Sequence, residues 1–174
     1  ASVVTFVLLF LGAAIGAAVG GRIEHAGHLL VVVVVSLVVD SFSVFHSAGP
    51  TAAVVERPAL IAVLALPFPV FGTSMIAPVL GVGDVVFAAL YMAASRRFSL
   101  GARRTAIAIA AGLVATLIAV TLIELPLPAL VGMGVAVLIA HPRAWRLPKK
   151  DRKKALIGMA LLVLLWLVLF LRDR

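Results

Sequence analysis

Apolar and polar positions along this chain alternate in blocks. Long apolar runs are separated by short clusters that hold nearly all of the charge. Each run approaches the ~20 residues that a helix needs to cross a hydrocarbon core ~30 Å thick. Lipid offers the backbone no hydrogen-bond partner, so such runs must close their own N–H···O=C bonds as helices. The pattern predicts an all-α polytopic transmembrane helix bundle of about six spans: Ser2–Gly20, His28–His46, Ile76–Ser95, Arg104–Ile123, Pro126–His141 and Ala155–Leu171. A seventh apolar stretch, Ala59–Gly72, is short and broken by Pro67 and Pro69. It reads as a re-entrant or interfacial segment. In the first span Gly12, Gly16 and Gly20 recur every four residues, a smooth face suited to close helix packing.

Composition sharpens this picture. Hydrophobic residues make up 64% and charged residues 13%, against about half and about a quarter in a soluble domain. The net charge of +8 would suit nucleic acid, but the cations sit in short loops between apolar runs, the pattern of a topology signal. One set of loops carries Arg22, Arg96, Arg97, Arg103, Arg104, Arg143, Arg146, Lys149, Lys150, Arg152, Lys153 and Lys154; the opposite set carries only Arg57, Arg172 and Arg174. The two sets alternate across all six predicted spans. The basic loops 96–104 and 142–154 are therefore expected in the cytoplasm of a multi-pass integral membrane protein.

Cysteine is absent, which excludes disulfides and thiolate metal sites. His25, His28, His46 and His141 fall near span ends and read as interfacial polar residues, not metal ligands. The chain opens on alanine, and no basic stretch precedes the first span as a signal peptide requires. It is expected to be the C-terminal part of something longer, or a processed product.

The candidate chemistry lies in two acids. Asp40 and Asp84 are the only carboxyls deep within the predicted spans; Glu24, Glu56 and Glu124 lie near span ends, and Asp151 and Asp173 flank the last span. An ionisable residue at such depth is costly and marks a functional site by default. Asp40 lies six residues before the outer end of its span, and Asp84 eight residues after the outer start of the next. Both then sit roughly 9–12 Å below the outer boundary. Two carboxyls sharing a site cannot both ionise cheaply, so such a pair holds one proton between them. One can activate water while the other donates a proton, the logic of an aspartic protease without a metal or cofactor. Gly81 and Gly83 remove side chains just before Asp84, which permits close approach by a partner helix or a substrate strand. On the acids alone, a proton- or cation-coupled transporter stands equal to a protease.

The motifs around the acids resemble a known family. Gly81-Val82-Gly83-Asp84 is similar to the GxGD motif of the presenilin and signal peptide peptidase family, and Pro128-Ala129-Leu130 resembles its PAL motif. Asp40, followed by Ser41-Phe42-Ser43-Val44-Phe45, stands where the family's other catalytic aspartate belongs. The resemblance covers about Ser2–His141 and implies the last five helices of a nine-helix fold. It implies an intramembrane aspartic endopeptidase with Asp40 and Asp84 catalytic and Gly81, Gly83, Pro128, Ala129 and Leu130 shaping the site. Its partners would be single-span transmembrane peptides or proteins within the lipid bilayer, with no cofactor and no nucleic acid. The basic loop after GxGD implies the signal-peptide-peptidase orientation. Three units follow: a catalytic membrane domain at 1–141, a basic loop at 142–154, and an additional transmembrane helix at 155–174. Val39 replaces the family's usual tyrosine. The prepilin peptidases, the other GxGD family, carry a lysine where Val86 stands and lack PAL. Finally, Pro67–Leu80 is strand-like in content (Phe68, Val70, Phe71, Thr73, Ile76) and reads either as a strand for pairing with substrate or as a plain connector.

Overall fold

The computed structural model describes residues 3–46, 65–69, 76–123 and 127–172. The loop Ser47–Pro58, most of Ala59–Gly72 and residues 124–126 lie outside them. Six α-helices appear among the described residues: α1 (Val3–Arg22), α2 (His28–Phe45), α3 (Val82–Arg97), α4 (Ala102–Ile123), α5 (Ala129–Ala140) and α6 (Lys149–Arg172). The expected helical class holds for the bundle. The described part of the expected re-entrant stretch is instead a short strand, β1 (Ala65–Pro69), paired antiparallel with β2 (Ile76–Gly81). Prolines at 67, 69 and 78 cannot donate to a helical ladder, so the chain runs extended there. The pairing slips between Leu66 and Pro67, just before Pro67 meets Pro78.

Among the described residues four helices, not six, are long and apolar enough to cross a membrane: α1, α2, α4 and α6. That fits a membrane protein. The expected third span divides, because Ile76–Gly81 is strand and only Val82–Arg97 is helix. Its 16 residues rise about 24 Å. The expected fifth span begins only at Ala129, after Pro128 in extended conformation. Its 12 residues rise about 18 Å. Gly81-Val82-Gly83-Asp84 and Pro128-Ala129-Leu130 lie at the N-terminal ends of these two short helices.

Helix α1 lies along α3 through the glycine face read from the sequence. A Cβ on Gly16 would stand 2.0 Å from the Val86 carbonyl oxygen, and one on Gly20 2.3 Å from that of Leu90. Only glycine lets the two backbones come this close. A second small-residue contact joins α4 to α5, where a Cβ on Gly112 would meet the Gly132 oxygen at 2.5 Å. Helix α5 packs on α4 and α2 and also touches α3, so it forms the centre of the bundle. Leu29 and Val33 from α2, Leu90, Tyr91 and Ala94 from α3, and Met133, Val137 and Leu138 from α5 make the core there. Outward, α1, α4 and α6 present bulky apolar side chains such as Phe6, Ile107 and Leu161. That is the surface expected against hydrocarbon and not against water.

The loops at one end of the bundle are tied together. Arg97 donates to the Gly21 carbonyl at the end of α1. Gly27, before α2, packs on the backbone of Arg146, where any Cβ would come within 2.2 Å of its oxygen. A tight turn joins α3 to α4 through Ser99 at φ 50° and Gly101 at φ 98°, the latter a left-handed geometry that glycine adopts freely.

Candidate functional site

Asp40 lies on α2 five residues before the helix ends at Phe45. Its carboxyl is half-buried, and its Oδ2 accepts a hydrogen bond of 2.9 Å from the backbone N–H of Leu130. The residues are 90 positions apart. Pro128 makes the contact possible. It is the extended residue before α5, so the N–H of Leu130 sits in the first turn, where helical amides have no internal partner. The carboxylate supplies that partner.

Asp84 is the third residue of α3, not a mid-span acid as the sequence suggested. Its Oδ2 accepts from the Gly81 N–H at 2.8 Å, the return bond of a capping box whose glycine cap has no side chain to reciprocate. Helix α3 starts here because Gly81 is extended (φ −85°, ψ 162°) and ends the hairpin. Asp84 therefore has a structural task, capping its helix, in addition to any chemical one.

Asp40 lies twelve residues beyond the His28 start of α2, a rise of about 18 Å. Asp84 lies thirteen residues before the Arg97 end of α3, about 20 Å. Each acid thus lies a similar rise along its own helix from the end nearer the basic loops. The N-termini of α3 and α5 each present a backbone N–H to one carboxyl, Gly81 to Asp84 and Leu130 to Asp40, and their partial positive charge faces carboxyl oxygens.

Below the acids, Ser36 lies one turn from Asp40 and Tyr91 two turns from Asp84. Their hydroxyls meet at 3.5 Å, and Ser36 Oγ also donates to Val33 O at 2.9 Å. Gly134 leaves room for this brace, since a Cβ there would stand 3.2 Å from the Tyr91 oxygen. The brace was not foreseen from the sequence; the signal available was a serine and the lone tyrosine of the chain, each in phase with an acid.

The motif glycines stand in open surroundings. No described residue approaches within 4 Å of where a Gly83 Cβ would stand, and a Cβ on Gly81 would make only ordinary contacts, the nearest 3.6 Å away. No described helix uses the space they leave. Gly83 is exposed, and so is Val39 beside Asp40 at 58%. Pro128 and Leu130 are buried and Ala129 is half-buried.

A second polar cluster lies at the far ends of the same helices. Thr105 Oγ1 (α4) bonds Ser95 Oγ (α3) at 2.6 Å and His141 Nε2, just after α5, at 2.8 Å. All three are buried. Burial first, then the positive charge of Arg104, holds the His141 imidazole below the ordinary histidine range. The other histidines serve locally: His25 Nδ1 accepts from the Gly27 N–H, His28 faces Asp151, and His46 stacks on Phe42.

No family model, curated protein or solved structure matches this chain.

Proposed function

We propose that the chain is an intramembrane aspartic endopeptidase that uses Asp40 and Asp84 to hydrolyse peptide bonds of single-span membrane segments. One observation carries the reading: the Leu130 N–H of Pro128-Ala129-Leu130 donates to the Asp40 carboxyl at 2.9 Å, which joins two of the three motif segments and supports a site that Asp84 completes. A dyad is the simplest use of two interacting carboxyls at such a depth. In this mechanism one carboxylate takes a proton from water as it attacks the scissile carbonyl. Its protonated partner donates to the carbonyl oxygen, and the leaving nitrogen then receives a proton as the C–N bond breaks. The site needs no cofactor for this.

The open space at Gly83 suits a substrate backbone, which needs close approach and no side-chain obstruction. Among the described residues the hairpin leading into Gly81 has two strands, and an unwound substrate can add a strand to it. Under this reading α1–α5 form a five-helix multi-pass domain of presenilin and signal peptide peptidase type, α6 is an additional helix, and loops 96–104 and 142–154 lie in the cytoplasm.

The test is proteolysis by the purified chain in liposomes carrying a single-span peptide. Asp40→Asn and Asp84→Asn should each abolish product. Cleavage at the parental rate in both variants would sink the assignment. Ion- or pH-driven flux lost in the same variants, with no peptide product, would establish the transporter instead.

A further inference from the structure

The segment leading into α6 carries seven cations within twelve residues: Arg143, Arg146, Lys149, Lys150, Arg152, Lys153 and Lys154. All seven are exposed. The one acid among them, Asp151, turns the other way, toward His28 at the start of α2 (Nε2–Oδ2 3.4 Å). Cations therefore face outward while the carboxylate faces the bundle. Helix α6 has no buried residue, and the basic side chains of its first turns stand exposed. Trp145 stands in the same segment, 57% exposed. Its indole Nε1–H donates to the Leu138 carbonyl at 2.8 Å, which pins the ring with an apolar face outward. An aromatic ring fixed beside a cation cluster at the end of an apolar helix is the composition of an interfacial anchor.

From this arrangement we infer that residues 143–154 form a binding surface for anionic phospholipid headgroups at the mouth of the bundle. The chemistry is complementary at each point. Lysine ammonium and arginine guanidinium groups pair with phosphodiester oxygens, the indole lies at the headgroup boundary, and the apolar body of α6 accepts the acyl chains. A topology signal needs only net positive charge in a loop. This segment adds separation of its acid from its cations and a pinned ring. Juxtamembrane clusters of this size attract anionic lipid by a factor of roughly five per cation near the surface. The surface also bears on the bundle, because Arg146 packs on Gly27 and Asp151 faces His28 at the start of the Asp40 helix.

The experiment uses the full chain with Trp166→Phe, so that Trp145 is the sole indole. It is reconstituted in phosphatidylcholine vesicles containing a minor fraction of phosphatidylglycerol in both leaflets, which makes insertion direction irrelevant. Either lipid carries shallow brominated acyl chains that quench Trp145 on contact. Brominated phosphatidylglycerol should quench severalfold more than brominated phosphatidylcholine at equal mole fraction, and high salt should shrink the excess. Replacing Lys149, Lys150, Lys153 and Lys154 together by Gln should remove most of the excess, while replacing them by Arg should keep it. Equal quenching by the two lipids, or an excess indifferent to salt, overturns the inference. So does displacement by soluble glycerol phosphate, which would show a free-anion site. The readout involves no proteolysis, so its outcome is independent of the proposed activity.

Discussion

Gly16→Ala tests the packing that positions the Asp84 helix. The added Cβ would lie 2.0 Å from the Val86 oxygen, 2.8 Å from its carbonyl carbon and 3.1 Å from the Ala89 Cβ. The nearest atoms are backbone and cannot rotate away. Ordinary contact begins near 3.4 Å, so α1 and α3 must part by roughly 1.4 Å at this level. The separation propagates, because Gly12 and Gly20 hold the same interface at 3.2 and 2.3 Å. Overpacking of this kind costs ~1–3 kcal/mol, and the loss of close contact along the stripe places this case at the upper end. Gly21→Ala is the matched control: one residue on, with nothing within 4 Å of its Cβ, it should cost no more than a few tenths and can stabilise the helix through alanine's propensity. Unfolding of the purified proteins in mixed micelles, followed by circular dichroism, measures both. Equal midpoints for the two variants would refute the claim that α1 and α3 meet backbone to backbone.

The aspartates separate structural from chemical roles. Asp40→Asn keeps an acceptor for the Leu130 N–H and should fold as the parent does while losing proteolysis. Asp40→Ala orphans that donor and should also lower stability by ~1–3 kcal/mol, read by the same unfolding assay. At Asp84, Asn preserves the cap to Gly81 and Ala removes it, at a cost of ~0.5–2 kcal/mol, with proteolysis lost in both. Tyr91→Phe should cost under ~1 kcal/mol, because a 3.5 Å contact is weak and Ser36 retains its bond to Val33. His141 predicts a pH dependence. Its value in the folded chain is lowered, so the unfolded chain takes the proton first. Stability is then complete above the unfolded value near 6.5 and declines as pH falls from there through the lowered value. Melting in detergent across that window should show the decline, and His141→Gln should flatten it; an unchanged slope in the variant would assign the effect elsewhere.

Much of the architecture was legible in the order of residues. Apolar blocks of near-span length determine helices because lipid leaves the backbone no other partner, and the cation-rich loops mark one end of the bundle. The glycine stripe at 12, 16 and 20 foretold a close helix contact, though its partner, α3, was not readable. The two acids stood out because a carboxyl in an apolar run has no cheap explanation.

Where the helices begin was decided only in three dimensions. An apolar run such as Ile76–Ser95 suits strand and helix alike, and periodicity cannot divide it. Pro78 and Gly81 were the local signals that it breaks, and the hairpin with Ala65–Pro69 completes the break. That division moved Asp84 from mid-span to the first turn of α3 and gave it the Gly81 N–H as a partner. The bond from Leu130 to Asp40 was likewise beyond the sequence. It joins residues 90 positions apart, and it exists because α5 starts late, at an extended proline, with its free amides level with α2. Residue types determined which groups this chain carries into the membrane. The packing of α5 against α2 determined which of them meet, since a hydrogen bond depends on where backbones end and not on what the side chains are.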